Sequence, residues 1–416
     1  MKNRFFELGV LVIGLCSVSV LGVAAGDSPN GKVTFAKDVA PILYNRCVEC
    51  HRAGEVAPMS LITYNDTRPW AKAVKQKVLD RSMPPWLASP DHKHFKNERR
   101  LSQKEIDTIV AWVDAGAPKG NDADLPAPPK FEQGWAIGKP DAVISLDQEI
   151  AVPADGVIPY KYFTVQTNFS EDKWVQAAEI RASNRSVVHH IIVFVQEPGA
   201  SSELSGESRG GRGTKLCGFA PGEQPKVFPP GTGRLIKKGS KLTFQMHYTP
   251  NGVATTDRSY IGLIFSKTPV QRIALTGTAT NARFVIPPGD DNYEVRSSWT
   301  APADVRIIDL MPHMHVRGKD FTYTAVYPDG RSEVVLQVSK YDFNWQLLYQ
   351  FSDPLFLPKG ARLDCVAHFD NSAKNKYNPD PSKEVRWGDQ TWEEMMIGWF
   401  DYVLDKENLA ERAHGK

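Results

Sequence analysis

The residue types able to bind metal or move electrons are concentrated in a few places in this chain of 416 residues. The run Cys47-Val48-Glu49-Cys50-His51 has the spacing of a covalent haem attachment motif. Two thiols three residues apart reach the two vinyl groups, and the next residue supplies an axial imidazole. A local disulfide or half of a zinc site would use the same letters, but no second cysteine pair exists to complete a zinc site. A sixth ligand is expected from Met83, in the rigid run Ser82-Met83-Pro84-Pro85, with Met59 as the alternative. His92 and His94 lie in a charged loop and read as solvated.

Seven of the ten histidines fall after residue 136, and five of them cluster in three places. His189 and His190 are neighbours, so on a regular strand they point to opposite faces, and both can hold one metal only at a bulge or strand end. His247 follows with Gln245 on its face. His313 and His315 are two apart and share a face, which suits joint ligation, while Met314 between them points away. Two imidazoles joined by a soft thioether select copper over zinc. A sixth, His368, is expected to be a satisfied strand histidine.

The elements that must position these groups divide by pattern. Residues 30–120 are helix-rich, with Ala36–Asn45, Arg68–Asp80 and Ser102–Ala115 as helices. The last of these opens on a capping box from Ser102 to Glu105 and stops at Gly116 and Pro118. Residues 121–135, polar and rich in proline, read as a linker. From residue 136 onward, short apolar or alternating runs are divided by Pro-Gly turns, the pattern of an all-β sandwich or barrel. Lys238–Tyr248 and Lys359–Phe369 match in spacing, which places His247 and His368 on corresponding faces of a duplicated sandwich. The fold class expected is therefore multidomain, a small all-α domain followed by two all-β sandwiches over 136–268 and 269–408.

Composition narrows the setting. There are 50 basic and 48 acidic side chains, with no basic stripe, so nucleic acid is not an expected partner. Lys2 and Arg4 precede the apolar run Leu8–Leu21, which reads, with the small residues to Ala25, as a signal peptide over 1–25. An uncleaved anchor is the alternative, and would be the chain's one membrane contact. The expected location is periplasmic or secreted, in a bacterium. In that oxidising setting Cys217 and Cys365, left over once Cys16, Cys47 and Cys50 are accounted for, read as one disulfide, with two buried free thiols as the alternative.

Residues 136–405 resemble the type II copper, ascorbate-dependent monooxygenases, the family of peptidylglycine α-hydroxylating monooxygenase and dopamine β-monooxygenase. The resemblance runs through VVHHIIVF, TFQMHYTPNG, VIPPGD, MPHMHVRGK, CVAHFDNS and DQTWEEMMIGWFDY. The segment before residue 120 resembles small monohaem cytochrome c domains. The family's two domains are jelly rolls, each with one copper, facing across a solvent-filled cleft. The resemblance implies a first copper on His189, His190 and His247, and a second, oxygen-activating copper on His313, His315 and Met395, with Met396 as fallback for Met395. It departs from the family where peptidylglycine enzymes carry an arginine that grips the substrate carboxylate. Met311 stands there, and Ile397 and Trp399 replace the assisting Asn and Tyr. The substrate implied is small and neutral or aromatic.

The reading that results is an exported monooxygenase with two copper ions and one covalently bound haem c. It would hydroxylate a C–H bond of a small molecule with O2, and a periplasmic donor would deliver electrons through the haem. The alternatives are a non-catalytic haem and copper protein for electron transfer or copper binding, and a glycan- or partner-binding sandwich.

Overall fold

In the computed structural model, residues 32–409 are described, apart from 54, 56, 132–133, 200–212 and 221–222. The expected signal peptide and Cys16 lie outside the described residues. Among the described residues, four α-helices precede residue 120: α1 (Ala40–Arg46), α2 (Tyr64–Thr67), α3 (Ala71–Leu79) and α4 (Gln103–Asp114). α4 forms for the reason its sequence gives. Ser102 Oγ accepts from the Glu105 amide at 3.2 Å, and the Glu105 carboxylate accepts from the Ser102 amide at 2.7 Å. Its apolar stripe, Ile106, Ile109 and Trp112, is buried against Phe35, Leu43 and Val78.

The expected all-α haem domain is not what forms. Its helices are only four to twelve residues long, and residues 84–100 leave them for the β part of the molecule. Trp86, Ala88 and Phe95 are buried in the core of the second sandwich, where Trp86 and Phe95 pack on Tyr349 with ring centroids 5.0 and 5.5 Å away. Ala88 bridges to Val338 and Phe95 to Phe351, and the Ser89 and Lys96 amides donate to the Gln337 and Gln350 carbonyls at 2.7 and 2.9 Å. The helices thus form a small satellite cluster strapped to a molecule that is mostly β. The expected linker is likewise not free. Leu125 and Phe131 pack on the helical core, and the Arg52 guanidinium lies 4.2 Å from the Phe131 ring centroid.

Among the described residues, sixteen strands of four or more residues follow. The first eight are β1 (Ala142–Ser145), β2 (Lys161–Gln166), β3 (Lys173–Arg181), β4 (Val188–Gln196), β5 (Thr214–Phe219), β6 (Thr232–Ile236), β7 (Lys241–Tyr248) and β8 (Tyr260–Phe265). The second eight are β9 (Leu275–Thr280), β10 (Tyr293–Thr300), β11 (Val305–His313), β12 (Gly318–Val326), β13 (Ser332–Val338), β14 (Tyr349–Leu357), β15 (Arg362–Phe369) and β16 (Ile397–Leu404). The first set makes one sheet in the order β1-β8-β3-β6 and another in the order β2-β7-β4-β5. The second set makes β9-β16-β11-β14 and β10-β15-β12-β13. The two orders are the same with every number raised by eight, and each is the antiparallel jelly-roll order. The repeat between Lys238–Tyr248 and Lys359–Phe369 is therefore a real duplication, since β7 and β15 hold the same place.

Each roll has its own core, one around Phe244, Ile191 and Leu263, the other around Phe369, Tyr323 and Leu363. Cys217, on β5, is buried in the first core and Cys365, on β15, in the second. Both are free thiols, so the expected disulfide is corrected to two separate core cysteines, and burial raises the pKa of each.

Candidate metal centres

Strand β4 pairs with β7 in a register that slips between Val188, opposite Tyr248, and His190, opposite His247. His189 is the extra residue of that bulge, and the bulge lets two neighbouring histidines turn toward one point. The ligand nitrogens of His189, His190 and His247 all lie within 4.8 Å of one another, the arrangement a single ion requires. His190 Nδ1 is 3.4 Å from Nδ1 of both His189 and His247. Burial lowers the pKa of all three, reinforced by neighbouring imidazoles for His190 and His247, and takes His247 down to about 3. Three neutral imidazoles with converging lone pairs form a ligand set.

His313 ends β11 and His315 lies just beyond it, with ring centroids 5.3 Å apart. Met314 is fully buried and turned into the core, where the Tyr341 hydroxyl donates to its carbonyl at 2.7 Å and accepts from its amide at 3.1 Å. Each imidazole is oriented by a partner on Nδ1. His313 has the Gln346 side-chain oxygen at 2.6 Å, and His315 has the Glu393 carbonyl at 3.0 Å. Nδ1–H donation to an oxygen leaves Nε2 as the lone pair in both rings. His315 Nε2 is buried with no hydrogen-bond partner, a costly condition that a bound metal would relieve. Burial lowers the pKa of His313 to about 4 and of His315 to about 3.

The two methionines separate cleanly. Met395 lines an open cavity of about 410 Å³ together with His313. Met396 is fully buried in the second core, where the Ser297 hydroxyl donates to its sulfur at 3.2 Å. Met395 is thus a thioether that borders the same cavity as His313, and Met396 is a core residue. His368 belongs to neither cluster. Its Nδ1 meets Asp320 at 2.7 Å and its Nε2 meets Glu294 at 3.6 Å, as a satisfied strand histidine should.

Two aromatic rings each touch both clusters. Tyr160 of the first roll packs on His190, His247 and His315, with centroids 5.2, 4.7 and 6.4 Å away. Phe343 of the second roll stacks on His189 at 5.5 Å and lies 5.9 Å from His315. The segment Tyr341–Gln346 therefore touches both clusters, through Phe343 and through Gln346. Tyr160, Phe343, Tyr341 and Gln346 carry no motif, and nothing in their spacing marks them.

In the helical part, Cys47 packs against the helical core and His51 Nδ1 meets the Met59 carbonyl at 3.3 Å. Burial raises both thiols, Cys47 up to about 12. Cys50 lines a cavity of about 850 Å³ between the helices and the first roll, walled also by Arg52, Arg99, Phe131 and Arg185. Met83 is half-buried on the loop after α3 and is not part of the apolar cluster that holds Cys47 and Met59. The Met59 carbonyl occupies the Nδ1 edge of His51, away from the side on which a ligand facing Nε2 would stand.

No known protein family and no curated protein matches the chain. Among solved structures, the STIV MCP is similar with 8% identity and a TM-score of 0.32, covering 66% of this chain and 99% of that one. The major capsid protein P2 from bacteriophage PM2 is similar with 10% identity and a TM-score of 0.30, covering 63% and 96%. Broad Bean Stain Virus follows with 9% identity and a TM-score of 0.29, covering 66% and 91%. These matches are viral coat proteins, not copper monooxygenases or cytochromes c. The assignment to the monooxygenase family fused to a cytochrome c, and the hydroxylating function drawn from it, are withdrawn on this finding. At such similarity the coat proteins assign no function either, so the site is read from its own residues.

Proposed function

We propose that this chain is a copper-binding redox protein with two histidine centres. The first copper would be held by His189, His190 and His247, and the second by His313, His315 and Met395. The observation that carries the reading is the convergence of three neutral imidazoles within 4.8 Å at a strand bulge. The second centre draws its support from the orphaned Nε2 of His315 and from a thioether beside His313, a donor set that favours copper. Bound copper would supply a one-electron couple at each centre. The protein's part is to orient the imidazoles through Gln346 and Glu393, and to cover them with Tyr160 and Phe343.

Cys47, Cys50 and His51 extend the proposal to a covalently attached haem, and of the three Cys50 borders an open cavity that would receive it. Attachment of that kind belongs with an exported protein and an external electron donor, and the open cavity at His313 and Met395 suits oxidoreduction of a small molecule. Metal analysis of the full chain, purified after export, tests the reading. Two coppers per chain are expected, falling to one in His247→Ala and in His313→Ala, with haem retained on the polypeptide after acid–acetone extraction. Zinc in place of copper, or unchanged copper content in both variants, would overturn it.

A further inference from the structure

The cavity that His313 and Met395 border has walls from both rolls, and one wall carries a cation that no carboxylate among the described residues contacts. Lys215, on β5 of the first roll, reaches across so that its Nζ lies 3.0 Å from Met311 Sδ and 5.6 Å from the Trp399 ring centroid. Among the described residues no carboxylate lies within ion-pair distance of it; the buried Glu223 acts on it electrostatically without contact, and a thioether is a weak acceptor for an ammonium. Other cations between the rolls are satisfied. Lys226 Nζ has Asp309 and Asp401 each at 2.5 Å, and Arg234 has Asp401 at 3.3 Å. The one lining carboxylate, Asp389, accepts from the Tyr162 hydroxyl at 3.4 Å.

The rest of the wall is of two kinds. Ile192 and Phe194 on β4 and Trp399 on β16 are apolar. Thr276, Thr278 and Thr280 alternate along β9 and so present one row of hydroxyls to the cavity. Thr276 is engaged with Asp401 at 2.5 Å, whereas no hydrogen bond among the described residues engages the Thr278 and Thr280 side chains. A volume of about 410 Å³, apolar and aromatic surface, and a few polar groups at fixed points are the attributes of a small-molecule site.

We infer that this cavity binds a small organic anion with a flat, apolar body. Its anionic group meets Lys215, its body lies against Trp399, Ile192 and Phe194, and Thr278 and Thr280 are free to donate to it. Met311 alone would point to a neutral ligand. Lys215 reverses that, because the charge comes from the other roll and from a position with no spacing relation to Met311. Binding needs no metal, and the inference rests on the copper reading only for placing the ligand beside a redox centre.

Calorimetric titration of the metal-free full chain with phenylacetate and with its uncharged amide, phenylacetamide, tests this. The carboxylate should bind ~10- to 100-fold more tightly than the amide, the worth of one charge-assisted hydrogen bond. Lys215→Met should bring the carboxylate down to the level of the amide and leave the amide unchanged, and Lys215→Arg should keep the preference. Equal affinity for the two probes, a preference that survives in Lys215→Met, or no saturable binding of either probe would overturn the inference. Copper content is measured on the same proteins. Full copper loading without a carboxylate preference would sink this inference alone, and a carboxylate preference without copper loading would sink the copper reading alone.

Discussion

His190 faces His247 across the β4–β7 ladder with their Nδ1 atoms 3.4 Å apart, immediately after the bulge that brings His189 to the same point. Because burial holds these rings neutral, protons do not compete for them until well below the usual imidazole range. An exposed histidine titrating near 6.5 is almost wholly protonated at pH 5, and each such ligand would cost about 30-fold in metal affinity. Here burial lowers the pKa of all three rings, that of His247 to about 3, so Cu(II) affinity should fall far less between pH 7 and pH 5 than exposed ligands would allow. Competition titration against a Cu(II) chelator at the two pH values measures this. A drop of a hundredfold or more would mean that the rings are not held neutral.

Gln346 should matter to the second centre although it ligates nothing. Its side-chain oxygen accepts from His313 Nδ1 at 2.6 Å and so fixes the tautomer that offers Nε2 to a metal. Removing such a partner typically costs ~10- to 100-fold in metal affinity. Gln346→Ala should therefore weaken one copper of the two by that amount, and Gln346→Glu should retain it. Equal weakening of both coppers would point to a general loosening of the segment Tyr341–Gln346 instead.

What was legible in the sequence depended on whether an interaction is local. The helix from Ser102, the bulge or strand end that His189-His190 requires and the turn of Met314 away from its two neighbours all follow from spacing of a few residues; the helix is present, the pair sits at a bulge, and Met314 lies in the core. The duplication was legible because β7 and β15 repeat the same pattern of side chains. What escaped was every contact made between units. Phe343 on His189, Lys215 on Met311 and Phe95 on Tyr349 join positions dozens to hundreds of residues apart, with no periodicity to announce them. The expected disulfide failed for the related reason that two leftover thiols say nothing about distance. Cys217 and Cys365 lie in different cores.

The strap of residues 84–100 carries a prediction about independence. Phe95 is 5% exposed and packs among Trp86, Tyr349 and Phe351, so Phe95→Ala should cost ~3–5 kcal/mol of local stability. Hydrogen exchange by mass spectrometry should show protected Ser89 and Lys96 amides in the wild type, and faster exchange across 84–100 in the variant. The helices α1 and α4, with their own core, should be little affected. Rapid exchange of 84–100 in the unaltered protein would mean that the helical unit is tethered rather than strapped.

The last prediction concerns the ion cluster that joins the two rolls. Lys226, on a two-residue strand (Lys226–Val227) against β3, has its ammonium between Asp309 of β11 and Asp401 of β16. All three are nearly inaccessible, and Thr276 and Arg234 add contacts to Asp401. The attraction of the two carboxylates outweighs the burial that acts against the lysine's charge, and its pKa is raised. Buried charge pairs are a poor source of stability compared with an apolar replacement of the whole set, but removing one member strands the others. Lys226→Met should therefore destabilise by ~3–5 kcal/mol, whereas Lys226→Met combined with Asp309→Leu should recover part of the loss. Urea unfolding followed by tryptophan fluorescence measures both. Because Lys226 belongs to one roll and both aspartates to the other, the single variant should also split one transition into two. A single, unshifted transition in Lys226→Met would show that the apolar contacts alone hold the rolls together.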